Sequence, residues 1–412
     1  MKNLYLISVS LLSLLTAFGQ GPTVTAWKRN TTSATGYNSL PSNVQIVQYT
    51  TTDVYVSSSC IPDYSIGPWL QNPNTPSNQS FVTKFTRNPV QNTVTLTNTP
   101  MGNIGMWING VSIYNQKDGY YWNNSTSTFN SPGTGAWNRN ALYYEGISFD
   151  NCLGHPGPNG AYHHHVNPPC LYDDAASSVH SPIIGYAFDG FPIYGAYGYT
   201  NVNGTGAIKR MASSYVLSSA STRASGPPVN SNYPLGSMCE DYVFTQGAGD
   251  LDEHNGRLCN TPEYPNGIYA YFVTIYANLD PVYPFVLGST YYGTVQTGNT
   301  GPSGSHNSIP GSTTIYNPTV SAGIDEVENI EIKCQIMPNP TADYAYIYMD
   351  ANSINNVVGN LYNSKGELIQ SIPFMQPTLG YTLDLTTVSN GTYFLTLEAG
   401  SQKTTHKIVK SK

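Results

Sequence analysis

The 412-residue chain is only 10% charged, against roughly 25% in a typical soluble protein, and it is acidic, with 24 Asp and Glu against 17 Lys and Arg. No Lys/Arg cluster of the kind phosphate binding needs is present, which argues against a nucleic-acid partner. Polarity comes from Ser, Thr, Asn, Gly and 33 tyrosines, a blend that favours strands and turns, so the expected class is mainly β.

The chain opens with Lys2, an apolar run from Leu4 to Leu15, and the small-residue pattern Ala17-Phe18-Gly19. Residues 1–19 therefore read as a signal peptide cleaved before Gln20, too short for a membrane anchor. No later segment reaches spanning length, so a mature protein without a transmembrane segment is expected, secreted or at the cell surface. Residues 20–293 read as one large β-rich domain. Within it, Phe81 to Thr97 is expected as a half-buried strand, on the alternation of Val94 and Leu96 with threonines.

An internal repeat follows. Ile104-Gly105-Met106-Trp107-Ile108-Asn109-Gly110-Val111-Ser112-Ile113-Tyr114 matches Ile184-Gly185-Tyr186-Ala187-Phe188-Asp189-Gly190-Phe191-Pro192-Ile193-Tyr194 at Ile, Gly, Gly, Ile and Tyr. Asn-Gly or Asp-Gly between apolar runs predicts two related hairpins, paired across a pseudo-two-fold.

Between the copies, Gly154 to His165 holds four of the eight histidines. If Tyr162 to Val166 is extended, His163 and His165 share one face, with Tyr162 and His164 on the other. His164 is then expected to be exposed or a structural partner. The Pro-Gly-Pro-Asn-Gly turn lets His155 fold back beside the pair. Three converging neutral imidazoles suit a divalent ion, zinc or copper, with a coordination position left open. Asp150, Tyr162 and Arg257 are expected around the ligands. Asp189, Asp252 and Glu253 are candidate fourth ligands or general bases. Arg257 is expected to clamp Asp252 or Glu253, or to meet an anionic substrate. His180 and His254 stand alone, and His306 and His406 lie away from the domain. The window from Asp250 fails the calcium-loop pattern, since its sixth residue is Asn255. No Gly-x-Ser-x-Gly elbow, His-Glu-x-x-His or phosphate loop is present.

Export permits disulfides, and proximity favours Cys152 with Cys170 and Cys239 with Cys259. A Gly/Ser/Thr-rich insertion runs from Gly198 to Asn232, and Tyr269 to Ala277 is expected as a strand. Residues 294–329 read as a flexible linker by composition. Residues 330–412, with turns every ten to twelve residues, read as a small β-sandwich.

Two resemblances follow from these motifs. Pro338-Asn339-Pro340, Asn390-Gly391-Thr392-Tyr393, Lys407-Ile408-Val409-Lys410 and the lead-in Gly323 to Val327 resemble the C-terminal sorting domain of the type IX secretion system of Bacteroidetes. That resemblance implies the type IX secretion machinery as a partner and says nothing of the cargo's activity. Asp150 to His155, Gly160 to His165, Gly185 to Gly195, Leu251-Asp252-Glu253 and Asn255-Gly256-Arg257 resemble the YHYH family, across much of Trp69 to Tyr292. His164 stands where the family usually has a second Tyr. His254 stands where it often has Cys, which removes one disulfide partner. The resemblance implies an architecture and a site rather than a reaction. Two functions are therefore in view: a metal-dependent extracellular enzyme of unknown substrate, or a non-catalytic surface module whose histidines are structural.

Overall fold

The computed structural model describes residues 20–301, 304–317, 334–349, 357–374, 381–399 and 402–411. The stretch expected as a signal peptide, residues 1–19, lies outside them. The chain divides into two compact units between residues 320 and 321. Strands dominate both; among the described residues the α-helices are two short ones, Pro22–Thr25 and Ala141–Glu145.

The first unit is built on an eight-stranded sheet in the order Gly256–Cys259, Ile268–Phe272, Pro192–Tyr194, Ile183–Ala187, Asn103–Trp107, Ser112–Tyr114, Tyr162–His164, His155–Pro156. The two repeat hairpins are its four central strands. They meet antiparallel with Gly185 opposite Trp107, Tyr186 opposite Met106 and Ala187 opposite Gly105. Exchanging each residue for its counterpart in the other copy returns the same three pairs, so the pseudo-two-fold passes through Met106 and Tyr186.

The symmetry extends beyond the hairpins. Each adds a parallel strand, Tyr162–His164 beside Ser112–Tyr114 and Ile268–Phe272 beside Pro192–Tyr194. Each of these then takes an antiparallel edge strand, pairing His163 with His155 on one side and Ala270 with Arg257 on the other. Before each edge strand an aspartate accepts from a tyrosine at or next to the start of the following strand. Tyr162 Oη lies 3.0 Å from Asp150 Oδ2, and Tyr269 Oη lies 2.8 Å from Asp252 Oδ1. Gly154 and Gly256 lie under those rings, where a Cβ would come within 2.5 Å of the phenol oxygen in each copy. The two halves are therefore the same module folded twice.

A four-stranded antiparallel sheet, Thr314–Ile315, Val44–Tyr49, Asp53–Ser58, Phe81–Thr86, packs on this module, with Phe85 set against Tyr186 and Phe188. His164 is fully buried between Tyr162 and Trp107 rather than exposed. Two expectations change here. Residues 93–97 are not a strand: Val94 is 93% exposed. The Asn92 side chain accepts from Val94 N and donates to Thr95 O, pulling the backbone into a turn. The stretch expected as a flexible linker is bound to the domain where it is described, at 294–301 and 304–317; residues 318–329 lie outside the described residues. Thr314–Ile315 pairs with one edge of the four-stranded sheet. Asn299, Ser305 and Asn307 bond to the backbone of Val82 and Lys84 on the other. Segments so placed close both open edges.

Cys152 and Cys170 form a disulfide. Cys239 and Cys259 do not pair; both are free and buried. Cys239 lies against the carbonyls of Gln116 and Arg139, whereas Cys259 ends the edge strand opposite Ile268. The chain between them spends its length on a strand and the Asp252 turn rather than on bringing the sulfurs together.

The second unit has a three-stranded sheet, Cys334–Met337, Tyr344–Met349 and Tyr381–Asp384. Its four-stranded sheet runs in the order Leu368–Phe374, Val357–Asn363, Gly391–Ala399, Gln402–Lys410. Ala345, Ile347, Leu361, Leu383, Leu395, Leu397 and Ile408 form one buried cluster drawn from both sheets. This is the small sandwich that the regular turn spacing predicts.

Candidate metal centre

Strand alternation places His163 and His165 on one face of the module. The edge strand brings His155 opposite His163. All three are at least 95% buried, and one ring nitrogen from each lies within 4.8 Å of the other two. They line the floor of an open cleft of about 430 Å³, whose walls include Tyr114, Lys117, Asp118, Tyr144 and Glu145.

Each ring is held from behind through Nδ1. His163 Nδ1 lies 3.0 Å from Ala161 O and His165 Nδ1 lies 2.5 Å from Asn115 O. A carbonyl only accepts, so both Nδ1 atoms carry protons. His155 Nδ1 lies 2.7 Å from Ser148 Oγ, whose own proton goes to Glu145 O at 2.7 Å. Ser148 therefore accepts from His155 as well. Three Nδ1–H tautomers leave three Nε2 lone pairs facing inward. His163 Nε2 and His165 Nε2 stand 3.2 Å apart. Ligands on a tetrahedral ion with bonds of about 2.0–2.1 Å stand about 3.3–3.4 Å apart. Burial, reinforced by the neighbouring His165 imidazole, pushes His155 down to about 4. Burial and the neighbouring imidazoles hold His163 well below its ordinary value.

A carboxylate completes the group. Glu145 ends the short helix Ala141–Glu145, whose start is capped by the Asn140 side chain. Its Oε2 lies 3.2 Å from His165 Nε2 and 3.8 Å from His155 Nε2. Burial works to raise Glu145, but its contacts with His165, with His155 and Arg139 beyond, keep it below the usual carboxylate value. Behind the cleft wall, Arg139 lies over Tyr144 and holds Asp118, which burial nonetheless raises to about 6. Tyr114 stacks on His163 with ring centroids 3.8 Å apart.

The remaining expected site residues lie elsewhere. Asp150 accepts from Gly67 N, Trp69 Nε1, Cys152 N and Tyr162 Oη, and its hydrogen bonds include no imidazole. The groups that fix the tautomers are two backbone carbonyls and Ser148. Tyr162 points to the opposite face. Asp189 is buried in its hairpin turn, accepting from Tyr271 Oη and the amides of Phe191 and Gly293. Asp252 belongs to the other half of the module, and Glu253 is half exposed beside His254. None of these three lines the histidine cleft. Arg257 donates to Tyr199 O and lies over Phe272, in place of the expected ion pair with Asp252 or Glu253.

Glu145 and Ser148 escape sequence reasoning because no motif links them to the histidines. The one signal is Asn140 before Ala-Leu-Tyr-Tyr-Glu, a capped helical turn ending in an acid ten residues ahead of His155.

Fold and site together define a class: a β protein built on a duplicated hairpin module, with an imidazole cluster at one cleft. Residues 82–283 match the family model described as YHYH protein. Residues 335–411 match the secretion system C-terminal sorting domain. A chain ending in this domain is an exported one, handled by the type IX secretion machinery. No helix among the described residues is long and apolar enough to cross a membrane. No curated protein matches the chain.

Proposed function

We propose that this is an exported, metal-dependent protein in which His155, His163 and His165 hold a divalent ion, zinc or copper, on the floor of a cleft where an extracellular substrate reacts. The observation that carries this reading is the inward convergence of three Nε2 lone pairs, each ring fixed through its other nitrogen. Lone pairs facing one another across 3.2 Å repel unless an electrophile stands between them. The open cleft favours a reactive over a purely structural ion, since structural sites are closed.

A bound divalent ion supplies Lewis acidity toward a substrate oxygen. The chain's own part is to orient and exclude. Ser148, Ala161 and Asn115 set the tautomers, Tyr114 covers one face of His163, and Phe149 lies edge-on to His155. The domain limits follow the same reading: residues 20–293 carry the site, and residues 330–412 direct export.

One observation favours a second reading, a non-catalytic module. A single proton on His165 Nε2 would serve Glu145 Oε2 and His163 Nε2 at once, giving a buried ion pair without metal. Elemental analysis of the mature chain, purified without an affinity tag, decides between them. Stoichiometric zinc or copper that vanishes in the His163→Ala, His165→Ala double variant supports the metal. A metal-free protein whose melting temperature ignores added zinc and copper supports the ion pair.

A further inference from the structure

Three imidazoles do not exhaust the donors at this point in the fold. We propose that Glu145 is the fourth ligand, so that the ion sits in a three-histidine, one-carboxylate set; this rests on the metal reading above.

The geometry separates a ligand from a general base. A base acts on an ion-bound water, so its oxygen stands one water away from the ion and has no reason to touch the ligand atoms. Glu145 Oε2 touches them, at 3.2 Å from His165 Nε2 and 3.8 Å from His155 Nε2. The first distance equals the His163–His165 separation. Oε2 therefore lies against two of the three ligand atoms, those of His165 and His155, and a turn of the Glu145 side chain toward His163 would complete the set.

Its surroundings point the same way. Oε2 is buried, and its ion-pair contacts among the described residues are with these two nitrogens. With the tautomers fixed as above, those nitrogens present lone pairs to an anionic oxygen. A cation shared by all four atoms turns that repulsion into binding. The backbone fixes the placement: the Glu145 carbonyl takes the Ser148 proton, and Ser148 holds His155. One short segment thus sets both the carboxylate and an imidazole. A mixed nitrogen and oxygen set with one negative charge suits a divalent ion and disfavours Cu(I), which prefers sulfur ligands. The cleft side of the polyhedron stays free for a further ligand from solution.

Cobalt(II) tests this without any assumed activity, because its visible absorption reports coordination number and ligand type. The full mature chain is titrated with Co²⁺ against a chromophoric chelator, alongside Glu145→Gln, Glu145→Ala and His163→Ala. Glu145→Ala keeps a good helix former at the position, and far-UV circular dichroism verifies that each variant is folded. The expected result is one Co²⁺ per wild-type chain. Both Glu145 variants should bind more than about 100-fold more weakly, beyond what losing an outer-sphere partner costs, and with a changed visible spectrum. An unchanged spectrum, or a smaller loss of affinity, in the folded Glu145 variants overturns Glu145 as a ligand while leaving the histidine site standing. A wild-type chain that takes up no Co²⁺ overturns the metal reading itself.

Discussion

The two halves of the duplicated module share a scaffold and differ in chemistry. In both, an aspartate orders the turn before an edge strand, a glycine lets a tyrosine ring pass, and the tyrosine hydroxyl returns to the aspartate. Strand register places Arg257 where the other half has His155, Ala270 for His163 and Phe272 for His165. The half that lacks histidines at these three positions pairs its strands in the same way. It holds a fixed cation, the Arg257 guanidinium, over the Phe272 ring. The comparison teaches that the module does not need imidazoles to fold. Three of them converge in one half alone, an addition that the shared strand pairing does not require.

The largest test of this contrast makes the first half resemble the second. His163→Ala with His165→Phe installs the partner half's residues. Bound metal should fall from one per chain to none, while the metal-free variant keeps its β circular dichroism and cooperative unfolding. Loss of fold would break the comparison and return the histidines to the core.

Acid sharpens it next, with opposite signs in the two halves. His155 and His164 are depressed in the folded chain, to about 4 and about 3, chiefly by burial. Folded protein therefore binds fewer protons than unfolded chain. Their contribution is complete above about 6.5 and is lost as pH falls through those lower values, on the order of 3 kcal/mol for His155 alone. In the other half Asp189 is raised to about 6 by burial. Its contribution is complete below about 3.9 and is lost as pH rises through about 6. Urea unfolding of the metal-free chain across this window should show acid destabilisation that His155→Phe reduces and an opposing loss, as pH rises from about 3.9 to about 6, that Asp189→Asn reduces.

The smallest effect tests the sameness of the scaffold. Tyr162→Phe and Tyr269→Phe each remove a hydroxyl from a carboxylate, and each should cost about 1.5–3 kcal/mol in urea unfolding. Costs that differ by more than this range would mean the two turns are not equivalent.

Much of this was legible in the chain. The Asn109-Gly110 and Asp189-Gly190 turns mark both hairpins, since a two-residue turn with positive φ is a local property. The spacing of His163 and His165 places them on one face because a strand alternates with period two. The Pro-Asn-Pro opening and regular turns of the last eighty residues mark the sandwich. The failures share a cause. Val94 and Leu96 alternate like a strand, yet Asn92 bends their backbone. The Gly/Ser-rich stretch after Thr294 shows no periodicity, yet its asparagine side chains stand in for strand partners. Cys239 and Cys259 are near in sequence and packed apart.

By itself, the sequence determined what local geometry controls: the mainly β class, the repeated hairpins, the same-face histidines and the export domain. Only the tertiary structure decided which groups stand behind and across from those histidines. It chose Asn115 O, Ala161 O and Ser148 as their anchors, set Glu145 against His165 and His155, and left Asp189 and Asp252 in the other half. The physical reason is that periodicity fixes which side chains share a face. The partners across a cleft follow from the pairing register of strands far apart in the chain, and no local pattern encodes that register.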